Sequence, residues 1–333
     1  MTWVRRRGAA RPGREAGCAV AGGVIVIACM FPGQGSQVVG MGKALAEAFP
    51  IVRETMAEAD EALGESLSGL CFEGPAEKLL LTENTQPAIL AVSVACYRLL
   101  ASTGVVPAFV AGHSLGEYSA HVAAGTLTFA DALRTVRRRG RYMQEAVPVG
   151  QGAMAAILGL DAEKVAQACA EAAQGDVVST ANLNAPGQVV IAGSKDAVAR
   201  ASERAKQLGA RRAIPLPVSA PFHCALMKPA EARLAPELRA LAAADPAVPV
   251  VANVDAEVKR TAAEAIEALV RQVSAPVLWE SVMRRLASEG VHKYVEVGPG
   301  MVLTGLGRKI LTDAAFANIE DPSGLDAVSA LVG

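Results

Sequence analysis

Aromatic side chains are scarce in this chain of 333 residues, which carries 7 Phe, 4 Tyr and 2 Trp, so its core has to be built mainly from Ala, Val and Leu. An excess of either charge is lacking too. The 32 Lys and Arg are matched by 33 Asp and Glu, which removes the basic surplus expected of a nucleic-acid binder. Cys18, Cys29, Cys71, Cys96, Cys169 and Cys224 form no C-x-x-C pair. That spacing points away from a metal site or a disulfide scaffold and toward reduced thiols in a cytoplasmic protein. Histidine is rarer still, with 4 in the chain, so the candidates for a general base are few. No apolar run approaches the roughly 20 residues of a membrane-spanning helix. The run Val24 to Phe31 lies behind Arg5, Arg6, Arg7, Arg11 and Arg14. It reads as a buried first strand, Val24 to Met30, with residues 1–22 as a disordered arm and no membrane partner.

A chain of this length can bury one large core with a smaller appended unit. Helical patterns near Met41 to Ala62 and Gln86 to Ala101 alternate with strand-like runs, which implies a parallel sheet covered by helices, with its site at the C-terminal strand ends. Beyond Gly150 the pattern changes. Strands are expected at Met154 to Leu158, Val177 to Asn182, Gln188 to Ala192 and Arg212 to Val218, and helices at Ala162 to Ala173 and Asp196 to Leu208. This β-α-β-β-α-β order is that of a ferredoxin-like unit. The expected division is a large α/β domain over 23–149 and 219–333, interrupted by a small domain over 150–218. A strand at Val248 to Asn253 and another at Tyr294 to Val297 belong to the resumed large domain.

Gly112-His113-Ser114-Leu115-Gly116 follows the apolar run Val105 to Ala111 and precedes a helical stretch. Strand, sharp turn and helix in that order expose a serine and aim helix N–H groups at it. A serine hydroxyl needs a base within hydrogen-bond reach. Among the histidines, His113 is expected to point away from Ser114 and His121 to lie on the following helix. His223 is the best candidate, because Pro221 forbids helix there and the small domain returns to the large one. No acidic third member stands out, so a Ser-His dyad oriented by a backbone carbonyl is expected. Gly33-Gln34-Gly35-Ser36-Gln37 fails as a phosphate loop, since Val38 and Met41 stand where a third glycine and a lysine are needed. Its backbone N–H is available for an oxyanion hole, with Leu115 N–H as the second donor. Within Arg137-Arg138-Arg139-Gly140-Arg141, a helical wheel places Arg139 nearest the apolar stripe of Leu133, Val136, Gly140 and Met143. A half-buried guanidinium calls for an anion, here a substrate with a free carboxylate.

Six blocks in order carry a family resemblance: Gly33 to Gln37, Gly112 to Glu117, Arg139 to Gln144, Asn184 to Gln188, His223 to Met227 and Glu296 to Gly300. Together they resemble the malonyl-CoA:acyl-carrier-protein transacylases over the chain from about Val24. The resemblance implies an α/β-hydrolase-like large domain with a ferredoxin-like small one. It further implies Ser114 as acylated nucleophile, His223 as its base, Gln34 and Leu115 as oxyanion-hole amides and Arg139 as the clamp on the malonyl carboxylate. By the same resemblance the Gln272 carbonyl supports His223, Asn184 lies near the pocket, and Phe222 is the bulky residue of malonyl-selective enzymes. The implied partners are malonyl-CoA and holo acyl carrier protein, with CoA thioester as substrate and no cofactor, in fatty acid biosynthesis. Two alternatives use the same serine: a thioesterase or other serine hydrolase with water as acceptor, and an acyltransferase acting in trans in polyketide synthesis. A non-catalytic module is disfavoured because each chemical position is filled.

Overall fold

The computed structural model describes residues 19–20, 23–24, 26–218 and 220–333. The expectation of a disordered arm falls largely outside these residues. At its described end, β1 (Ala19–Val20) pairs antiparallel with β2 (Gly23–Val24), just beyond the arm. The first sheet strand is β3 (Ile27–Phe31), shorter at its start than Val24 to Met30, because its neighbour's first paired residue, Lys293, sits opposite Ile27. Pro32, with no N–H to donate, follows its end.

The expected single helix near Met41 to Ala62 is two, α1 (Lys43–Ala48) and α2 (Pro50–Leu63), because Phe49 is extended and Pro50 opens a new helix. Short helices α3 (Leu67–Glu73) and α4 (Ala76–Leu79) lead into α5 (Thr82–Ser102). Helix α5 begins four residues before Gln86 and contains Pro87. Apolar residues all round make it the buried central helix. Next come β4 (Phe109–Gly112), α6 (Gly116–Ala123) and α7 (Phe129–Glu145).

The intervening unit runs β5 (Gly152–Leu158), α8 (Ala162–Ala173), β6 (Val178–Ala185), β7 (Gln188–Ser194), α9 (Lys195–Gln207) and β8 (Arg212–Pro215). Its four strands form an antiparallel sheet in the order β6-β7-β5-β8, the ferredoxin-like arrangement. The chain then supplies α10 (Lys228–Arg239), β9 (Val250–Val251), β10 (Val258–Lys259), α11 (Ala262–Gln272), α12 (Trp279–Ser288), β11 (Lys293–Val297), α13 (Val302–Ile310), β12 (Ala315–Ile319) and α14 (Ser323–Val332). The large sheet has the order β10-β9-β4-β3-β11-β12. It is parallel except for β10, which folds back antiparallel on β9. The strand expected over Val248 to Asn253 shrinks to two residues, because beyond Val251 the chain turns to bring Asn253 under Ser114.

Helix α6 buries His121 with no partner for either ring nitrogen among the described residues. Desolvation lowers its pKa from 6.5 to about 3. The unfolded chain therefore binds this proton first, so the associated stability is complete above pH 6.5 and is lost as pH falls toward 3. We expect His121→Leu to stabilise the fold by about 1 kcal/mol and to flatten the acid side of the stability profile. Thermal unfolding between pH 4 and 8 checks both.

Candidate active site

The turn between β4 and α6 is held by close backbone packing. A Cβ at Gly112 would lie 2.0 Å from Gly116, and one at Gly116 would lie 2.0 Å from the Phe31 carbonyl. Gly33 meets the His113 carbonyl, where a Cβ would stand only 2.4 Å away. These approaches force Ser114 to φ 52°, in the left-handed region that a non-glycine residue rarely occupies. The partly exposed hydroxyl is thereby raised to the carboxyl end of the sheet. Asn253 fixes the turn from below: its Oδ1 accepts the Ser114 N–H at 2.7 Å, and its Nδ2 donates to the Gly112 carbonyl at 2.7 Å.

His223 comes from the loop after the small domain and is itself at φ 59°. Its Nε2 lies 2.7 Å from Ser114 Oγ. Its Nδ1 lies 3.0 Å from the Gln272 carbonyl and 3.2 Å from the Ala275 carbonyl. Two carbonyls can only accept, so Nδ1 carries the proton and Nε2 is left to receive one from Ser114. Among the described residues no carboxylate bonds either ring nitrogen. Burial, reinforced by the Arg139 charge, lowers the His223 pKa from 6.5 to about 3. The imidazole is thus neutral, protonated at Nδ1 alone, through the neutral range. We expect kcat/KM for the serine-dependent reaction to stay level from pH 7 down to about 5, and an acid limb at the ordinary histidine value near 6.5 would contradict this.

Helix α7 sorts its four arginines. Arg137 pairs with Glu65, Arg138 with Glu237 and Arg141 with Glu145 on the surface. Arg139 is buried, at 1% exposure, because Gly140 lets α7 sit on the backbone of Thr82 and Glu83. Its Nη1 donates to Gln86 Oε1 at 2.8 Å, and its Nη2 to Gln272 Oε1 at 2.9 Å and to Ser114 Oγ at 3.2 Å. The Nε–H is buried without an acceptor among the described residues. Every partner is neutral, and the guanidinium also lies 5.5 Å over the Tyr118 ring. Burial draws its pKa below the ordinary arginine value, but a guanidinium remains charged. The site therefore presents, beside a serine, a cation that no carboxylate among the described residues bonds directly.

These groups open into a cleft of about 520 Å³, lined by Gln34, Ser114, Leu115, Arg139, Phe222 and His223 together with Met143, Met154, Asn182 and the 216–218 segment. Among the described residues, neither the Gln34 nor the Leu115 backbone N–H has an acceptor. The Gln34 side chain is turned to Thr82. His113 makes no bond to Ser114. It lies along the cleft wall with Nε2 2.9 Å from Asn184 Oδ1 and its ring edge-on to Trp279. Asn184 stands behind His113, and Asn182, two residues earlier on β6, lines the cleft. Gln86, Asn253 and the side chain of Gln272 were missed by sequence reasoning. Only Asn253 carried a local signal, as a polar residue ending an apolar run at a strand's carboxyl end.

The chain matches the acyl transferase domain over residues 29–321. It belongs to that family. This acyltransferase is 54% identical over 301 residues to the malonyl CoA-acyl carrier protein transacylase of Escherichia coli (strain K12), covering 90% of this chain and 97% of that one. The Bacillus subtilis (strain 168) protein of the same name is 50% identical over 301 residues, covering 90% and 95%. A solved acyl carrier protein S-malonyltransferase from Vibrio cholerae superposes with TM-score 0.89 at 51% identity, covering 91% of this chain and 99% of that one. A malonyl-transacylase solved in complex with a type II PKS acyl-carrier protein superposes with TM-score 0.89 at 49% identity, covering 92% and 99%.

Proposed function

We propose that this acyltransferase moves the malonyl group of malonyl-CoA to the phosphopantetheine thiol of an acyl carrier protein, supplying extender units for fatty acid synthesis. The observation that carries the reading is the buried Arg139, which no carboxylate among the described residues bonds directly, 3.2 Å from a serine that is bonded to a neutral histidine. A hydrolase of simple esters has no use for that cation, whereas a thioester whose acyl group ends in a carboxylate needs it.

In the first half-reaction His223 Nε2 takes the Ser114 proton as Oγ attacks the thioester carbon. The backbone N–H groups of Gln34 and Leu115 hold the tetrahedral oxyanion. Collapse breaks the C–S bond, and the CoA sulfur leaves with the proton from His223. The second half runs the same steps in reverse with the carrier thiol as nucleophile. Protons and electrons balance without a metal or redox group. Arg139 holds the malonyl carboxylate and, with the apolar walls Met143, Met154 and Phe222, keeps water from the ester.

No helix among the described residues is long and apolar enough to cross a membrane. The five described cysteines, all free and buried, fit a cytoplasmic enzyme. Intact mass after brief mixing with malonyl-CoA tests the reading. An 86-Da-class adduct, roughly one malonyl per chain, should appear on Ser114 and discharge onto added holo carrier protein. Steady CoA release without an adduct would favour the hydrolase.

Phe222 is 8% exposed and forms part of the cleft wall. An added methyl on the acyl group meets this wall, at a cost of about 1–3 kcal/mol. We expect kcat/KM for methylmalonyl-CoA to be about 10–200-fold below that for malonyl-CoA, and Phe222→Ala to narrow the ratio. Equal use of both donors by the wild type contradicts this.

A further inference from the structure

One buried ionisable group plays no part in the steps above. Glu117, on the first turn of α6, is fully buried. Its Oε2 accepts the Asn253 N–H and Gln272 Nε2–H, both at 2.9 Å, and its Oε1 has no partner among the described residues. Through these two donors Glu117 reaches every reacting group. Asn253 holds the Ser114 N–H. Gln272 donates from the same Nε2 to the Ser114 carbonyl at 2.8 Å, offers its backbone carbonyl to His223, and accepts from Arg139 through Oε1. A single amide is thus polarised between a guanidinium at its oxygen and a carboxyl at its nitrogen.

The charged groups around Glu117 are few. Arg139 on α7 is the cation, and Tyr118 is the neighbouring phenol on α6. Asp255, beyond Asn253, is the other acid acting on Glu117, but its own charge is matched by Lys259 at 2.8 Å and Arg271 at 2.9 Å. His223 on its loop is neutral, as is His113, whose pKa burial also lowers. Among the described residues Arg139 has no direct ion pair, and Glu117, across Gln272, is the buried carboxyl placed to balance it in the free enzyme.

We propose that Glu117 is a positioning residue that serves as the counter-ion of Arg139 between turnovers, and that it takes up a proton from solvent when a substrate carboxylate settles against the guanidinium. This rests on the malonyl-transfer reading. One buried cation balances one negative charge, so a second carboxylate beside it disfavours the ionised form of Glu117, and the free Oε1 is where the proton goes. Burial, opposed by the two hydrogen bonds, already raises the Glu117 pKa from 4.5 to about 7, so a small added repulsion tips it near neutrality. KM for malonyl-CoA should then rise with pH above 7, where proton uptake opposes binding.

The test mixes the full-length protein with malonyl-CoA at pH 7.5 in weak buffer containing a pH indicator, while intact mass counts the acyl adduct. The ester exchange is itself proton-neutral, because the CoA thiol stays largely protonated. We expect uptake of several tenths of a proton per adduct by the wild type. Glu117→Gln, whose carbonyl can accept the same two N–H groups, should still acylate, more slowly, with no uptake and with a KM that no longer rises with pH. A wild-type adduct without uptake, or equal uptake by both proteins, overturns the inference and leaves malonyl transfer standing. Absence of any adduct overturns the malonyl reading and this inference with it. Should Glu117→Gln not fold, the wild type alone decides: uptake must vanish below about pH 5, where Glu117 is already protonated, and persistence there refutes the assignment.

Discussion

Ser114→Ala should lower malonyl transfer by about 10⁴-fold or more and leave no acyl adduct in the intact mass. The effect is large because the serine is a covalent station on the path, so its loss removes both half-reactions rather than one transition-state contact. The fold should hardly notice. The elbow is kept by Asn253, which bonds the Ser114 backbone N–H rather than its hydroxyl, and Arg139 keeps Gln86 and Gln272 as partners. A variant that melts with the wild type but neither acylates nor transfers is the expected outcome. An adduct of normal yield on Ser114→Ala would place the acyl group on another residue.

Arg139→Ala should be the next most damaging change, and its damage should be selective. Removing one partner of a buried, hydrogen-bonded charge pair costs about 2–5 kcal/mol, so kcat/KM for malonyl-CoA is expected to fall by about 30-fold to several thousand-fold. A thioester without the terminal carboxylate, acetyl-CoA, has nothing to lose from the deletion, and its relative rate should rise. Any acyl-enzyme that does form should hydrolyse faster, because the cavity left by the guanidinium admits water beside the ester. Stability should drop as well, by about 1–3 kcal/mol, since Gln86 Oε1 and Gln272 Oε1 lose their donor. Comparing malonyl and acetyl transfer in the same preparation separates the clamp from this general loss. A parallel fall for both donors would make Arg139 a structural residue only. Arg139→Lys is not a conservative control, because an ammonium cannot supply the planar fork that reaches Gln86, Gln272 and a carboxylate together.

Much of this was legible locally. The glycines of Gly112-His113-Ser114-Leu115-Gly116 announce a turn that no larger residue could make, and the structure gives the reason in the 2.0 Å approaches at Gly112 and Gly116. Arg139 was distinguishable from Arg137, Arg138 and Arg141 by helical phase alone, since burial on a helix follows its 3.6-residue period. The four small-domain strands followed from alternation and from the turn at Pro186 and Gly187. Strand lengths were less legible. Val248 to Asn253 and Val105 to Ala111 look equally strand-like, yet β9 keeps two residues and β4 four, because after Val251 the chain leaves the sheet to bring Asn253 under Ser114.

Sequence by itself determined the chemistry available to this protein: a serine in a strand-turn-helix elbow, very few histidines to serve it, and one arginine facing inward. Those are properties of residue type and local period. Only the tertiary structure decided which groups meet. Gln272 is 158 residues from Ser114 and 133 from Arg139, and Asn253 is 136 residues from Glu117; no local pattern encodes such pairings. They arise because strands β3, β4 and β9 end at one edge of a parallel sheet, where polar side chains from distant segments must satisfy one another out of reach of water.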